Sequence, residues 1–114
     1  IGGFDRNFFL DCEEEDISKR VWDIGQEVYM LPEPELIHEH GGSKKENEVE
    51  LRNEFYISYK KLMFKHYSKP YSILMLLLMS LKIFRYFISG KCKYDTVKLA
   101  LKGFPEGCSL RYKQ

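Results

Sequence analysis

Residues 1–20 have the sequence IGGFDRNFFLDCEEEDISKR, and most of what can be predicted about this chain follows from them. The glycine pair near the start permits a tight turn. Asp11 and Glu14 stand three residues apart, which is the spacing of a capping box. The acidic run around Glu14 suits the positive end of a helix dipole. Together with the apolar spacing that follows, these signals predict a helix over residues 12–24, ended by Gly25.

The rest of the chain contains short apolar runs followed by long helical patterns. The two runs on either side of a Pro-Glu-Pro segment predict strands at residues 28–31 and 36–38. Three further helices are predicted at residues 45–67, 71–89 and about 95–103. The predicted fold class is therefore mainly α with a small β element (α+β), with long helices after residue 44.

The composition limits the classes of protein to which the chain can belong. Of its 114 residues, 44% are hydrophobic and 15% are aromatic, which is typical of a globular domain rather than a disordered segment. The net charge is only +1, so the overall charge does not indicate a nucleic-acid-binding protein. An acid-rich part at residues 11–54 and a basic part at residues 60–113 predict two surfaces with different roles.

Cysteine usage bears on the cellular compartment. The three cysteines, Cys12, Cys92 and Cys108, are odd in number and far apart in the sequence. They have neither zinc-ligand spacing nor the density of a disulfide framework. A reducing, cytoplasmic location is therefore expected.

The motifs of the first 43 residues resemble those of a known enzyme family. The matching segments are the GGFD turn, Phe8-Phe9-Leu10, the acidic run 13–16 and Arg20. The resemblance is to family 2 glycosyltransferases of the GT-A type, with the rhamnosyltransferase-like group nearest. It is strong over residues 1–43 and weak after residue 69. It continues downstream in Gly25, Leu31-Pro32-Glu33, Ile37-His38, Gly42-Ser43, Lys65-His66 and Lys102-Gly103-Phe104.

The resemblance implies a division of the chain into two parts. Residues 1–43 would be the acceptor-side end of a GT-A catalytic domain, and residues 44–114 a C-terminal helical region. The chain has no counterpart of the family's DxD metal-binding motif or of its nucleotide-binding sheet. It also opens inside a turn, at Ile1, rather than with Met. The expectation is a C-terminal fragment of a sugar-transferring enzyme that is inactive by itself.

The resemblance also implies roles for particular residues. The catalytic base of such enzymes, usually Asp, corresponds to Glu14, with Glu13 as a second candidate. The base takes a proton from the acceptor hydroxyl as that oxygen attacks the anomeric carbon of a nucleotide-sugar donor, with inversion. Asp5 and Arg20 are the expected acceptor-binding residues, the acceptor being a saccharide or lipid-linked sugar. His38 corresponds to a ligand of the divalent metal, Mn²⁺ or Mg²⁺, beside the diphosphate.

Each of these residues also has a simpler interpretation. Glu14 can be the capping-box glutamate, a role that would turn its carboxylate back onto the helix N-terminus. His38 can be an ordinary polar residue near a loop, and Asp5 can accept hydrogen bonds from turn amides. His66 is expected to be structural or interfacial. Crowding of carboxylates in the acidic run predicts a raised pKa for one of its members.

The helix predicted at residues 71–89 has three interpretations. Its first half is apolar on every side, and such a helix does not lie free in water. It can pack in a core, contact another subunit or lie on the inner face of the plasma membrane. The basic residues Lys82, Arg85, Lys91 and Lys93 suit anionic headgroups. This helix supports a rival function, a non-catalytic helical module that docks on a membrane or a partner protein.

Self-association is a further expectation. The two predicted strands would have exposed edges in a chain that lacks the nucleotide-binding sheet. Unpaired strand edges are templates for association between chains. Oligomers of this chain, with exchanged helices, are therefore predicted.

Overall fold

The structure, a computed structural model, describes residues 1–32, 35 and 48–112. These residues form four α-helices and two short 3-10 helices, Glu106–Cys108 and Leu110–Tyr112, and contain no β-strand. The mainly α prediction is confirmed for this part of the chain, and every helix lies close to its predicted position. The helices are α1 (Glu13–Asp23), α2 (Glu48–His66), α3 (Lys69–Ile88) and α4 (Tyr94–Leu101).

The start of α3 differs from the prediction by two residues. The predicted helix began at Tyr71 because proline interrupts helices. Pro70 lies instead in the first turn of α3, where its missing N–H is not needed and its fixed φ is already helical. Ser68 precedes the helix in an extended conformation, so α2 and α3 are joined by a very short connection.

The predicted β element is not found in the described residues. Residues 28–31 form neither a strand nor a helix, so the strand predicted there is wrong. A strand is stable only when a neighbour pairs its backbone groups, and the described part of the chain provides none. The second predicted strand, residues 36–38, lies outside the described residues. Residues 28–31 therefore provide no exposed strand edge, and the prediction of self-association is not supported by this segment.

The main core lies where α2, α3 and α4 meet. Its centre contains Ile57 of α2, Ile83 of α3 and Phe104, each only 1% exposed. Phe104 follows α4 in a left-handed conformation, with φ 53°, after Gly103 at φ 73°. This turn brings the Phe104 ring onto Tyr56, with a distance of 6.0 Å between ring centroids. The chain after α4 is thus part of the core rather than a loose tail.

A second, smaller core joins the N-terminal segment to α2. Phe8 and Cys12 are buried in one cluster with Leu62 and Met63. Because the two sides of this cluster are about fifty residues apart in the sequence, it fixes the start of α1 against the C-terminal half of α2. The last turn of α2, which carries Lys65 and His66, is thereby brought to α1.

α3 is buried on one side only. On the inner side, Ser72 and Ile83 are buried, and the Ser72 hydroxyl donates a hydrogen bond to the Met63 carbonyl at 2.9 Å. Seven apolar side chains of α3 are each more than half exposed, and six of them share the opposite face of the helix, with Leu78 at its edge. The six residues, called the α3 outer face below, are Ile73, Leu74, Leu77, Leu81, Phe84 and Ile88.

α3 is also the one described helix that is long and apolar enough to cross a membrane, by length and composition alone. Only 17% of its apolar stretch is buried. A core helix of a soluble domain would be mostly buried. The structure therefore does not support the first of the three interpretations of this helix, that of a simple core element.

Candidate functional site

The start of α1 is set by Cys12 rather than by a capping box. Cys12 is the N-cap residue, in a left-handed conformation with φ 68°, and it makes no side-chain cap hydrogen bond. The Asp16 amide donates to the Cys12 carbonyl at 3.0 Å, which begins the helix one residue later than an Asp11 cap would. The capping-box prediction is therefore wrong. The Glu14 side chain is exposed and has no hydrogen-bond partner among the described residues.

The most connected side chain of the site is Asp16, which is fully buried. Its Oδ2 accepts a hydrogen bond from Arg20 Nε at 2.9 Å, one turn further along α1. Its Oδ1 lies 2.6 Å from Lys65 Nζ and 2.7 Å from His66 Nε2, both at the end of α2. An ionised carboxylate only accepts hydrogen bonds, so His66 Nε2 carries a proton in this contact.

Two of these partners extend the contacts to the N-terminal turn. Lys65 Nζ also lies 2.6 Å from Asp5 Oδ2, and Asp5 Oδ1 accepts a hydrogen bond from the Asn7 amide at 2.9 Å. The Arg20 guanidinium donates to the carbonyls of Ile1 and Gly3. The interpretation of Asp5 as an acceptor for a turn amide is confirmed. The Asp16 network consists of Asp5, Asp16, Arg20, Lys65 and His66.

The electrostatics of the Asp16 network favour ionised side chains. Burial alone would raise the pKa of Asp16, but hydrogen bonds from Lys65 and His66, and the nearby charge, lower it. Burial likewise opposes the charge of Lys65, yet its bonds to Asp16 and Asp5 raise its pKa. The hydrogen bond from Lys65 lowers the pKa of Asp5. Both carboxylates and the ammonium group are therefore charged at neutral pH.

A second group of carboxylates has the opposite character. Burial, followed by the charges of Glu13, Glu54 and Glu15, raises the pKa of Asp11. Burial and the same acidic surroundings raise the pKa of the Cys12 thiol to about 12. Glu13 Oε2 is buried and has no hydrogen-bond partner among the described residues. The raised pKa predicted within the acidic run is not found at Asp16, whose pKa is lowered. The raised pKa is that of Asp11, which lies just before the run, and burial is its largest cause.

The structure brings together some of the predicted site residues and separates others. Asp5 and Arg20 belong to the Asp16 network, whereas Glu14 does not. Residues two apart on an α-helix lie about 200° apart around its axis, so burying Asp16 turns Glu14 outward. Glu13 lies between these two directions and is half-buried. The predicted base and the predicted acceptor-binding residues therefore lie on different sides of α1.

The predicted metal ligand cannot be placed in this geometry. His38 lies outside the described residues. Among the residues that are described, no group of three or more His, Cys, Asp and Glu side chains is arranged to bind a metal ion. The assignment of His38 to Mn²⁺ or Mg²⁺ thus stays a prediction.

A cavity of about 400 Å³ opens beside the Asp16 network. Lys65 lies over the Phe8 ring there, 5.6 Å from its centroid, and Lys61 forms an ion pair with Glu106 at 3.7 Å. The cavity thus combines aromatic surface with polar groups of both signs. Its lining residues are Asp5, Asn7, Phe8, Lys61, Phe64, Lys65 and Glu106.

Sequence reasoning did not single out Asp16, although one signal was present. Asp16 and Arg20 are one helical turn apart, which places them on the same face of α1 as an ion pair. The sequence offers the Lys65-His66 pair as part of the resemblance and predicts a structural or interfacial role for His66. Nothing in the sequence states that these two segments, about fifty residues apart, come into contact.

A scan against protein-family models, a search of curated proteins and a search of solved structures each found no match to this chain.

Proposed function

We propose that the chain is the acceptor-side part of an inverting family 2 glycosyltransferase, which moves a sugar from a nucleotide-sugar donor to a saccharide or lipid-linked acceptor. One observation supports this most. The GGFD turn, the acidic helix with Arg20, and the Lys65-His66 pair are separate segments of the resemblance, and all three meet in the Asp16 network. An acceptor-side site built from these three segments requires this contact, which is why it supports the proposal.

In this proposal Glu14 is the general base. It lies in the first turn of α1, is exposed, and is not engaged by a cap or an ion pair among the described residues. A carboxylate so placed can reach an acceptor hydroxyl and take its proton as the oxygen attacks the anomeric carbon. The absence of a capping box at the start of α1 is important here. In a capping box the Glu14 carboxylate would be turned back onto the helix N-terminus and away from an acceptor.

The Asp16 network has a positioning role in the same proposal. It joins α1 to α2 two residues after Glu14, and it holds the GGFD turn through Arg20 and Lys65. A catalytic group must be held within a fraction of an ångström, because a shift of about 1 Å can reduce the rate about a hundredfold. Asp5 and Arg20 act mainly through this network, and their direct binding of the acceptor stays a prediction.

A divalent cation, Mn²⁺ or Mg²⁺, would stabilise the negative charge of the departing diphosphate. His38 is the residue of this chain assigned to it. The chain has no DxD motif, and we expect the 114 residues alone to give no sugar transfer. Transfer by the isolated chain would contradict its interpretation as one part of an enzyme.

The base assignment is tested in the complete polypeptide to which the proposal assigns this chain. Glu14→Gln keeps the size of the side chain and removes its basicity. A general base contributes about 10²- to 10⁴-fold to the rate, so kcat should fall by that factor while donor binding is unchanged. The measurement is transfer of a labelled sugar from the nucleotide donor, together with donor binding by calorimetry.

Glu15→Gln is the matched control, because Glu15 is the next residue, is also a glutamate and is also exposed. This variant should retain its kcat within a few-fold. A Glu14→Gln enzyme with near-normal turnover would remove Glu14 from the role of base. In that case Glu13, the second candidate, would be tested in the same way.

A second candidate function is a helical module without a catalytic role. The observation in its favour is the α3 outer face, which is apolar and exposed. The two candidates differ in one measurement. A complete polypeptide that transfers no sugar from any of a panel of nucleotide sugars, while it still binds a partner through α3, would favour the module.

A further inference from the structure

The α3 outer face is an apolar surface that the Asp16 network does not use. Its six side chains are between 51% and 73% exposed. They lie along a helix of 20 residues, which corresponds to a length of about 30 Å. Apolar patches of this kind mark sites of interaction with a protein or a membrane.

The charged residues of the segment that contains α3 are all of one sign. Residues 55–94 contain eight Lys or Arg residues and no Asp or Glu. Two of the basic residues, Lys82 and Arg85, lie on α3 itself and are exposed. By helical geometry both lie along one flank of the outer face, next to Leu78 and Tyr71. Lys82 Nζ lies over the ring of Tyr86, 5.6 Å from its centroid, and both residues are exposed.

We propose that the α3 outer face lies on an anionic lipid surface. The apolar side chains would enter the boundary between headgroups and acyl chains, and Lys82 and Arg85 would contact the phosphates from the flank. An exposed apolar stripe with a basic flank is the arrangement by which interfacial helices bind membranes. Membrane binding does not require sugar transfer, so this proposal is tested independently of the proposed function.

A second copy of the chain fits the same face less well. A symmetric contact would bring the Lys82 and Arg85 charges of both copies to one interface, with no acidic residue on α3 to compensate. Like charges brought together in an apolar contact are unfavourable. An anionic surface instead places negative charge opposite both Lys82 and Arg85.

The contacts of α3 indicate that the helix lies on the membrane rather than crossing it. Ile83 is buried between α2 and α4, and Ser72 is bonded to the end of α2. A spanning helix would have to leave these partners and carry Lys82 and Arg85 into the hydrocarbon region, where charges are costly. A helix that lies on the membrane surface keeps the packing of its inner side and still covers its apolar outer side.

The experiment is flotation of the 114-residue chain with vesicles of two compositions. One contains only phosphatidylcholine, and the other contains 30% phosphatidylglycerol. We expect binding to the anionic vesicles and much weaker binding to the neutral ones. Raising the salt from 0.1 M to 1 M shortens the screening length from roughly 10 Å to roughly 3 Å and should release most of the bound protein.

Two variants separate the apolar and the basic contributions. Leu81→Glu removes a central side chain of the outer face, and the partition coefficient should fall about tenfold or more. Lys82→Gln with Arg85→Gln removes two charges near the surface, which should weaken anionic binding about thirtyfold. Because the substituted side chains are exposed, circular dichroism should show unchanged helix content.

The matched control is Lys98→Gln with Lys102→Gln, which removes the same charge from α4 and from the residue that follows it. These lysines line a different cavity, together with Val49 and Gly107, and should leave binding within about twofold. Absence of binding to anionic vesicles would overturn the proposal, as would binding that does not depend on lipid charge. A dimer in light scattering that Leu81→Glu dissociates, without vesicle binding, would assign the face to a second copy.

Discussion

The Asp16 network and the α3 outer face distribute polar and apolar groups in opposite ways. At the junction of α1 and α2, a fully buried carboxylate is surrounded by a guanidinium, an ammonium and an imidazole. On α3, six large apolar side chains face outward. Most proteins place these groups the other way round, because burying charge is unfavourable and burying apolar surface is favourable.

The difference between the two regions indicates two kinds of constraint. A buried ion cluster is seldom the most stable way to fill a core, so its value lies in the specific arrangement that it imposes. Here it fixes the orientation of α1 and thus the direction of Glu14. An exposed apolar face, in contrast, contributes nothing to the isolated fold. Its contribution comes when a partner, which we propose to be a lipid surface, covers it.

The largest expected effect contrasts the two sides of α3. Ile83→Ala opens a cavity at a site that is 1% exposed and should lower the free energy of unfolding by about 4 kcal/mol. Leu81→Ala, two residues away on the outer face, should change it by less than about 0.5 kcal/mol. Urea unfolding followed by circular dichroism measures both. Equal losses would mean that the outer face is covered in solution.

The next effect concerns the Asp16 network. Asp16→Ala leaves Arg20, Lys65 and His66 without their shared acceptor and should lower the free energy of unfolding by about 3 kcal/mol. Glu15→Ala, on an exposed neighbour of the same charge, should change it by less than about 0.5 kcal/mol. A small effect of Asp16→Ala would show that the network does not hold α1 in place.

The pH dependence of stability tests whether the effect of Asp16→Ala comes from the charge of the carboxylate. The folded-state pKa of Asp16 is lowered, so its stabilising contribution is complete above roughly pH 4 and is lost as the pH falls through the lowered pKa. The difference in stability between the wild type and Asp16→Ala should therefore shrink below about pH 4. A difference that stays constant down to pH 2 would assign it to packing rather than to charge.

The smallest effect tests the turn held by Arg20. Gly3 has φ +74°, a conformation that side chains disfavour even though the space around it is open. Gly3→Ala should therefore lower the free energy of unfolding by about 1 kcal/mol. Gly107→Ala, at an open position without a positive φ, should be neutral or slightly stabilising. Thermal unfolding of both variants distinguishes backbone strain from simple loss of glycine.

The helices could be predicted from the sequence because their signals are local. The bounds of α1, Glu13–Asp23, differ by one residue at each end from the prediction. α3 was misplaced at its start only because a proline in a first turn resembles a proline that ends a helix. The strand at residues 28–31 was wrong because an apolar run does not show whether a pairing partner exists.

The candidate site was only partly predictable. Asp5 and Arg20 came from the resemblance, and both were found in one network. Asp16 and His66 acquire their importance from a contact between α1 and the end of α2, and that contact depends on the packing of Phe8 and Cys12 on Leu62 and Met63. Local patterns do not contain such tertiary contacts. The orientation of Glu14 likewise followed only once the buried side of α1 was known.

The unusual position of Cys12 has a consequence for measuring motion. Its thiol is buried, and with a pKa raised to about 12 it stays protonated and inert towards alkylating reagents at neutral pH. When α1 detaches from α2, the thiol meets water and regains its ordinary reactivity. The rate at which Cys12 is alkylated therefore reports how often this junction opens, and no residue has to be substituted to measure it.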